Sequence, residues 1–312
     1  MAYFRLFRVV NLLIIALIMY LMRFFLFEPS FEIDKIMNPF SELQYAMLVM
    51  TYVLISAGGY ALNDYYDIGM DEINRPGKTV LRNKLPLRAG MTWFIIMTTA
   101  GIILGSILAY QMKSFSMYFF PVFIAGLYWF YSTKYKRELL SGNIVVSVLA
   151  AISIVLVFLY YVLSFNSTGQ IPITSFPYLK KAVLIYASFA FFITFIREIV
   201  KDVVDVKGDT EFDCTNIPIK YGKKETKMIL QILSFIFLAA LLYFVYLTWK
   251  MDKTYLMYYV VVILIPMFIY FIFQLRKAKE NNDYRALSTI LKIYMVAGIL
   301  SIQLLDLSNK WG

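Results

Sequence analysis

The chain has 312 residues, of which 61% are hydrophobic and 18% aromatic but only 16% charged, with a mean hydropathy of +0.68. That much apolar surface exceeds what a soluble domain of this length can bury, so the composition points to an integral membrane protein. With no histidine and one cysteine, Cys214, the chain excludes histidine-based acid–base chemistry, the usual zinc sites and an intrachain disulfide.

Apolar runs of about 20 residues, the length that crosses a bilayer core, fall near 9–27, 43–62, 91–110, 115–131, 143–163, 180–200, 228–248, 255–275 and 287–305. The first follows Arg5 and Arg8 as a signal peptide would, but no small-residue cleavage pattern comes after it, so it reads as a retained helix. The fourth is the shortest. The expected fold is an all-α bundle of about nine transmembrane helices forming one domain over 1–312. Gly58 and Gly59 are expected to let helices pack closely beneath residue 63.

The net charge of +10 is sorted between the loops. Arg5 and Arg8 precede the first run, and Arg75, Lys78, Arg82, Lys84 and Arg88 follow the second. Further basic groups follow the fourth, sixth and eighth runs, whereas the first odd loop carries Glu28, Glu32, Asp34 and Glu42. By the positive-inside rule the N-terminus and even-numbered loops are cytoplasmic, and the C-terminus and the short loops near 165–178 and 249–254 face outward. The expected location is the cell inner membrane. The same sorting accounts for most basic residues and leaves no soluble basic surface for nucleic acid.

Two stretches carry one pattern of acids: Asp64, Asp67 and Asp71 in NDYYDIGMD, and Asp202, Asp205 and Asp209 in KDVVDVKGD. On a helix, positions i, i+3 and i+7 lie within about 60° of each other, so each triplet defines one acidic face. Each starts at the cytoplasmic end of a run, the second and the sixth, and leads into a long polar loop, roughly 64–90 and 201–227. Four runs separate the motifs, so both halves cross the membrane in the same direction, as a parallel four-helix duplication with motifs at 63–71 and 201–209 would.

Facing clusters of carboxylates suit Mg²⁺, a hard cation usually held by a few carboxylates together with substrate phosphates. Arg75 and Lys78 beside the first triplet, and Lys201 and Lys207 beside the second, could neutralise a diphosphate. An aromatic-rich apolar bundle below would hold a hydrocarbon tail, and its Tyr and Phe faces could stabilise a carbocation. The combination implies an isoprenyl diphosphate, geranylgeranyl diphosphate among them, ionised at its allylic C–O bond and captured by a lipophilic acceptor.

At these residues the chain resembles the UbiA-type intramembrane prenyltransferases. Asn63, Asp64, Asp67 and Asp71 resemble the first family signature, and Asp202, Asp205 and Asp209 the second. DEINRP and Gly90 look like the loop after the first motif, although GKTVLRNKLPLRAG is longer and less regular than that family's segment. REIVKDVVDVKGD with NIPIKYGKK is similar to the second motif region, YSTKYKR with Gly142 and Asn143 to the segment after the fourth span, and FRVVN to the start of the first.

The resemblance implies a cavity opening to the cytoplasmic side and metal ligation by the six aspartates. It further implies catalytic roles for Asp67, Asp205, Lys136 and Tyr131, and head-group binding by Asn63, Arg8 and Asn11. DEINRP and REIVKDVVDVKGD look most like the geranylgeranylglycerol-phosphate geranylgeranyltransferases, which prenylate a glycerol-phosphate ether lipid. Members that prenylate aromatic acids or quinone precursors share the aspartates and are the alternative.

Plainer readings exist for each residue. Asp64 and Asp202 could simply end helices, Asn63 could bond a neighbouring helix, and Arg8, Lys136 and Tyr131 could be interfacial anchors. A repeated motif in matching positions argues against coincidence. Divalent-cation transport is the rival from another class, but it calls for ionisable residues at mid-membrane, where these runs look apolar. A membrane scaffold gives no reason for duplicated acids.

Overall fold

The computed structural model describes residues 1–168 and 172–305. Among these, nine helices are long and apolar enough to cross a membrane: α1 (Val9–Asp34), α2 (Glu42–Tyr66), α3 (Arg88–Gln111), α4 (Phe115–Thr133), α5 (Ser141–Phe165), α6 (Phe176–Glu211), α7 (Ile217–Lys250), α8 (Thr254–Lys277) and α9 (Asn281–Leu305). All nine apolar runs become helices, and the fourth is the shortest. The outward turn expected near 249–254 is the break between α7 and α8, whereas 169–171, within the loop expected near 165–178, and the C-terminal residues 306–312 lie outside the described residues.

α6 is the hub, packing against α5, α7 and α9, while α2 packs against α1, α3 and α4. The α2–α3 contact is close because Gly58 lacks a Cβ, which would stand 2.5 Å from the Thr98 hydroxyl oxygen; a Cβ on Gly59 would enter the Tyr128 ring. The ends of α1 and α6 are tied where the Asp34 carboxylate accepts the backbone N–H groups of Thr174 (2.8 Å) and Ser175 (2.9 Å).

The segment 201–227, read from sequence as a polar loop, is mostly helical. α6 has 36 residues, about 54 Å of helix at 1.5 Å per residue against a hydrocarbon core of ~30 Å. It therefore continues past the apolar segment and carries the second acid triplet on a rigid helix. The loop proper is short, and Asn216 caps α7 by accepting the Ile219 N–H.

The first motif is less regular. α2 ends at Asp67, and the chain resumes as a short helix, Ile68–Asn74, which stops before Pro76. This short helix packs on α6.

Candidate active site

The two acidic motifs meet. The Ile68–Asn74 helix lies so close to α6 that a Cβ on Gly208 would come within 2.5 Å of the Met70 carbonyl oxygen, and the Gly208 N–H donates to Asn74 Oδ1 at 2.7 Å. Arg75 Nη2 reaches both carboxylate oxygens of Asp205 at 3.3 Å. Both triplets border one cavity of about 1070 Å³ that continues down into the bundle, where Leu149, Ile193, Phe237 and Phe244 line it.

Partners fix most of the acids. Arg8, at the start of α1, donates from Nη2 to Asp64 Oδ1 (2.7 Å) and Asn63 Oδ1 (2.8 Å), and its guanidinium lies over the Tyr60 ring. Arg8 itself holds a left-handed backbone, φ +49°, a conformation that is strained for a non-glycine residue and marks a constrained position. Asp202 and Asp209 each accept one hydrogen bond from a neutral amide: Asn143 Nδ2 at 2.7 Å and Asn216 Nδ2 at 2.9 Å. Neutral donors orient a carboxylate without cancelling its charge.

Asp67 is the most buried of the six, 4% exposed. Its Oδ2 accepts from the Asn63 amide (2.6 Å) and from the Lys136 ammonium, while its Oδ1 is buried without a partner in the structure. A buried carboxylate oxygen left unbonded is costly, of order 1–3 kcal/mol or more, so the site fits a cation that would complete it. Burial opposes the charge on Lys136, yet the adjacent Asp67 outweighs it and raises the ammonium pKa above its ordinary value. Burial, and then the charge of Asp67, raises the Asp71 carboxyl above the usual carboxylate range.

The donor set is carboxylate and amide oxygen, which suits a hard divalent ion such as Mg²⁺. Among the described residues no three acidic groups close on one point as a ready cage. Asp64, Asp67, Asp71, Asp202, Asp205 and Asp209 all border the cavity and could hold such ions, with Asp64, Asp67 and Asp205 already paired to Arg8, Lys136 and Arg75.

Of the other residues singled out from sequence, Asn11, Lys78, Tyr131 and Lys201 border the cavity along with Arg8, Asn63, Arg75 and Lys136. Lys207 does not: it is exposed on the outer side of α6, because two residues beyond Asp205 the helix has turned by ~200°. The expectation that it binds the diphosphate is therefore withdrawn.

Sequence reasoning gave no role to Asn74, Glu198 or Lys292, and all three line the cavity. Lys292 interrupts the ninth apolar run, a signal that was present but hidden by averaging over the run. The spans are not uniformly apolar: Lys292 lies within α9, and Arg23, a buried arginine paired with Glu28 and Glu42, lies within α1.

The Arg75–Asp205 bridge is half exposed on the arginine side, 46%. Replacing Arg75 with Ala should change unfolding free energy by less than about 1 kcal/mol, as for other exposed ion pairs. A loss above about 2 kcal/mol in thermal or denaturant unfolding would show instead that this bridge holds the motifs together.

Comparison with known proteins agrees with this architecture. The family model described as "UbiA prenyltransferase family" matches residues 36–296. The digeranylgeranylglyceryl phosphate synthase of Methanosphaera stadtmanae is 28% identical over 251 residues, covering 80% of this chain and 81% of the relative. The corresponding Methanococcus aeolicus protein is 32% identical over 185 residues, covering 59% of this chain and 58% of the relative. That second match thus spans less than two thirds of the relative's length.

Among solved structures, a digeranylgeranylglyceryl phosphate synthase superposes with a TM-score of 0.60 at 22% identity, covering 97% of this chain and 96% of the other. A UbiA homologue from Archaeoglobus fulgidus bound to DMAPP and Mg²⁺ gives 0.56 at 16% identity, covering 97% and 99%. These share the fold. With nine helices long and apolar enough to cross a membrane among the described residues, paired acidic motifs at one cavity and a family match across most of its length, the chain belongs to the UbiA prenyltransferase family.

Proposed function

We propose that this enzyme transfers a prenyl group from an isoprenyl diphosphate, geranylgeranyl diphosphate in the first instance, to the hydroxyl of a glycerol-phosphate ether lipid, geranylgeranylglycerol phosphate or a close analogue, with Mg²⁺ as cofactor. The observation that carries the reading is the meeting of the two acid triplets at one cavity mouth above an apolar interior. The names of the M. stadtmanae and M. aeolicus relatives support the acceptor class, and the DMAPP and Mg²⁺ of the A. fulgidus homologue support the donor and the metal.

In this reading Asp64, Asp67, Asp71, Asp202, Asp205 and Asp209 would hold the metal, which would supply Lewis-acid charge to the leaving diphosphate. Arg75 and Lys78 at the mouth add positive charge where negative charge develops on that group. Lys136 pairs with Asp67 and fixes its orientation. The allylic C–O bond breaks, and the Tyr60, Tyr128 and Tyr131 rings lining the cavity stabilise the cation that remains. A new C–O bond forms to the acceptor hydroxyl, whose proton leaves with the diphosphate. Leu149, Ile193 and Phe244 pack along the tail and exclude water from the cation.

We assign the acidic mouth and the N-terminus to the cytoplasmic face and the C-terminus to the outside of the cell inner membrane, on the charge sorting of the loops. The chain acts as one domain, in which α2 and α6 are the equivalent helices of a parallel duplication.

The test offers purified protein in nanodiscs labelled geranylgeranyl diphosphate, Mg²⁺ and each acceptor class separately. Product with the glycerol-phosphate lipid, abolished by EDTA and restored by Mg²⁺, is expected. Product with an aromatic acid alone would overturn the acceptor, and ion flux through liposomes without any prenyl product would overturn the reaction.

A further inference from the structure

A lysine in the middle of a membrane helix is unfavourable unless it faces a polar interior and serves a function. Lys292 lies about three turns inside α9 and borders the same cavity as the aspartates. It donates to Asn11 Oδ1 at 2.8 Å, a neutral partner, and makes no ion pair among the described residues. Arg197 and Arg8, both positive, border the same cavity.

Arg197 lies on α6, about one turn deeper in the bundle than Asp202. Its Nη1 bonds Glu198 at 3.0 Å, but its Nε is buried with no partner. Glu198 is shared, because Lys201 Nζ also reaches it at 2.6 Å. Arg8 is already matched by Asp64. Arg197 and Lys201 therefore share one carboxylate and Lys292 pairs with none, so these three cations exceed Glu198 by about two positive charges in a low-dielectric cavity.

The cavity is thus divided: aspartates at the mouth, which call for cations, and a basic patch one turn below, which calls for an anion. We propose that Lys292, Arg197 and Asn11 form the acceptor head-group site and bind a phosphate monoester, so that these residues select a glycerol-phosphate acceptor. The proposal rests on the prenyl-transfer reading above. A phosphate monoester carries about −1.5 to −2 charges at neutral pH and matches the surplus. An aromatic carboxylate would offset half of it, and an uncharged quinol precursor none. Phosphate oxygens would also take up the unpaired Arg197 Nε–H and the remaining Lys292 protons.

The experiment uses the full chain in nanodiscs and the variants Lys292→Met, Lys292→Arg and Arg197→Gln. KM is measured for geranylgeranylglycerol phosphate at saturating geranylgeranyl diphosphate and then the reverse, alongside the shift in melting midpoint that the acceptor lipid produces without donor. The expected result is an acceptor KM raised roughly ten- to a hundredfold in Lys292→Met and Arg197→Gln. Donor KM should change by less than about twofold, the acceptor-induced shift should disappear, and Lys292→Arg should recover most of the loss. An unchanged acceptor KM in variants of an enzyme that does use the phosphate acceptor overturns this inference alone. Donor and acceptor KM rising together overturns it in favour of a diphosphate site. A wild-type protein that prenylates only aromatic acceptors overturns both this inference and the acceptor proposed above.

Discussion

Asp67→Asn should reduce Mg²⁺-dependent turnover by at least ~10³-fold, the scale lost when a main electrostatic element of a catalytic site is removed. The substitution keeps the shape and the hydrogen bond with Asn63 but removes the charge at a buried carboxylate whose Oδ1 lacks a protein partner. Lys136 loses its counter-ion, yet its side chain is 26% exposed and can reach water at the rim. The protein should therefore insert and fold, with unfolding free energy reduced by no more than about 2 kcal/mol. Single-turnover rates with saturating donor, set beside a melting curve, check both halves. Near-normal turnover in a folded variant would remove Asp67 from the mechanism.

Gly208→Val should damage the same site from the other side. Gly208 is where α6 touches the Ile68–Asn74 helix, and the atoms a side chain would meet are backbone and amide groups of the first motif: the Met70 carbonyl oxygen and Asn74 Nδ2, each 2.5 Å from an added Cβ. A backbone obstacle cannot swing aside as a flexible side chain would, so the two helices must separate. Overpacking of this kind costs ~1–3 kcal/mol. Separation moves Asp67 and Asp71 relative to Asp205 and Asp209, and misplacement by about 1 Å can cost ~10²-fold in rate. The variant should thus lose at least ~10²-fold in turnover although residue 208 carries no chemistry. Unaltered turnover would mean that the motifs need not stay in register.

What was legible in the sequence was local or periodic. Apolar runs identify the spans because each crossing must satisfy its own backbone hydrogen bonds, and the i, i+3, i+7 acids of the second triplet mark one face of α6. The continuation of α6 to Glu211 was not legible, because hydropathy ends at the membrane surface while the helix is extended by packing between Gly208 and the first motif. The break at Asp67 likewise depends on contacts made by the short helix that follows it. Lys207 was misread although the information was present: it belongs to the same charged stretch as Asp205 but to the opposite face of the helix. Lys292 was overlooked because one lysine barely alters the average of an apolar run, and its significance comes from Asn11 and Arg197, which are remote in sequence.

The central claim is that aspartates from both motifs together grip one diphosphate through Mg²⁺. An experimental structure with Mg²⁺ and the non-hydrolysable geranylgeranyl S-thiolodiphosphate tests it most directly. The account predicts the diphosphate at the cavity mouth, with metal ions bridging it to Asp67 or Asp71 on one side and to Asp202, Asp205 or Asp209 on the other, and the tail running past Leu149 and Phe244. A diphosphate bound away from one of the two motifs, or held without metal contact to either, would contradict it.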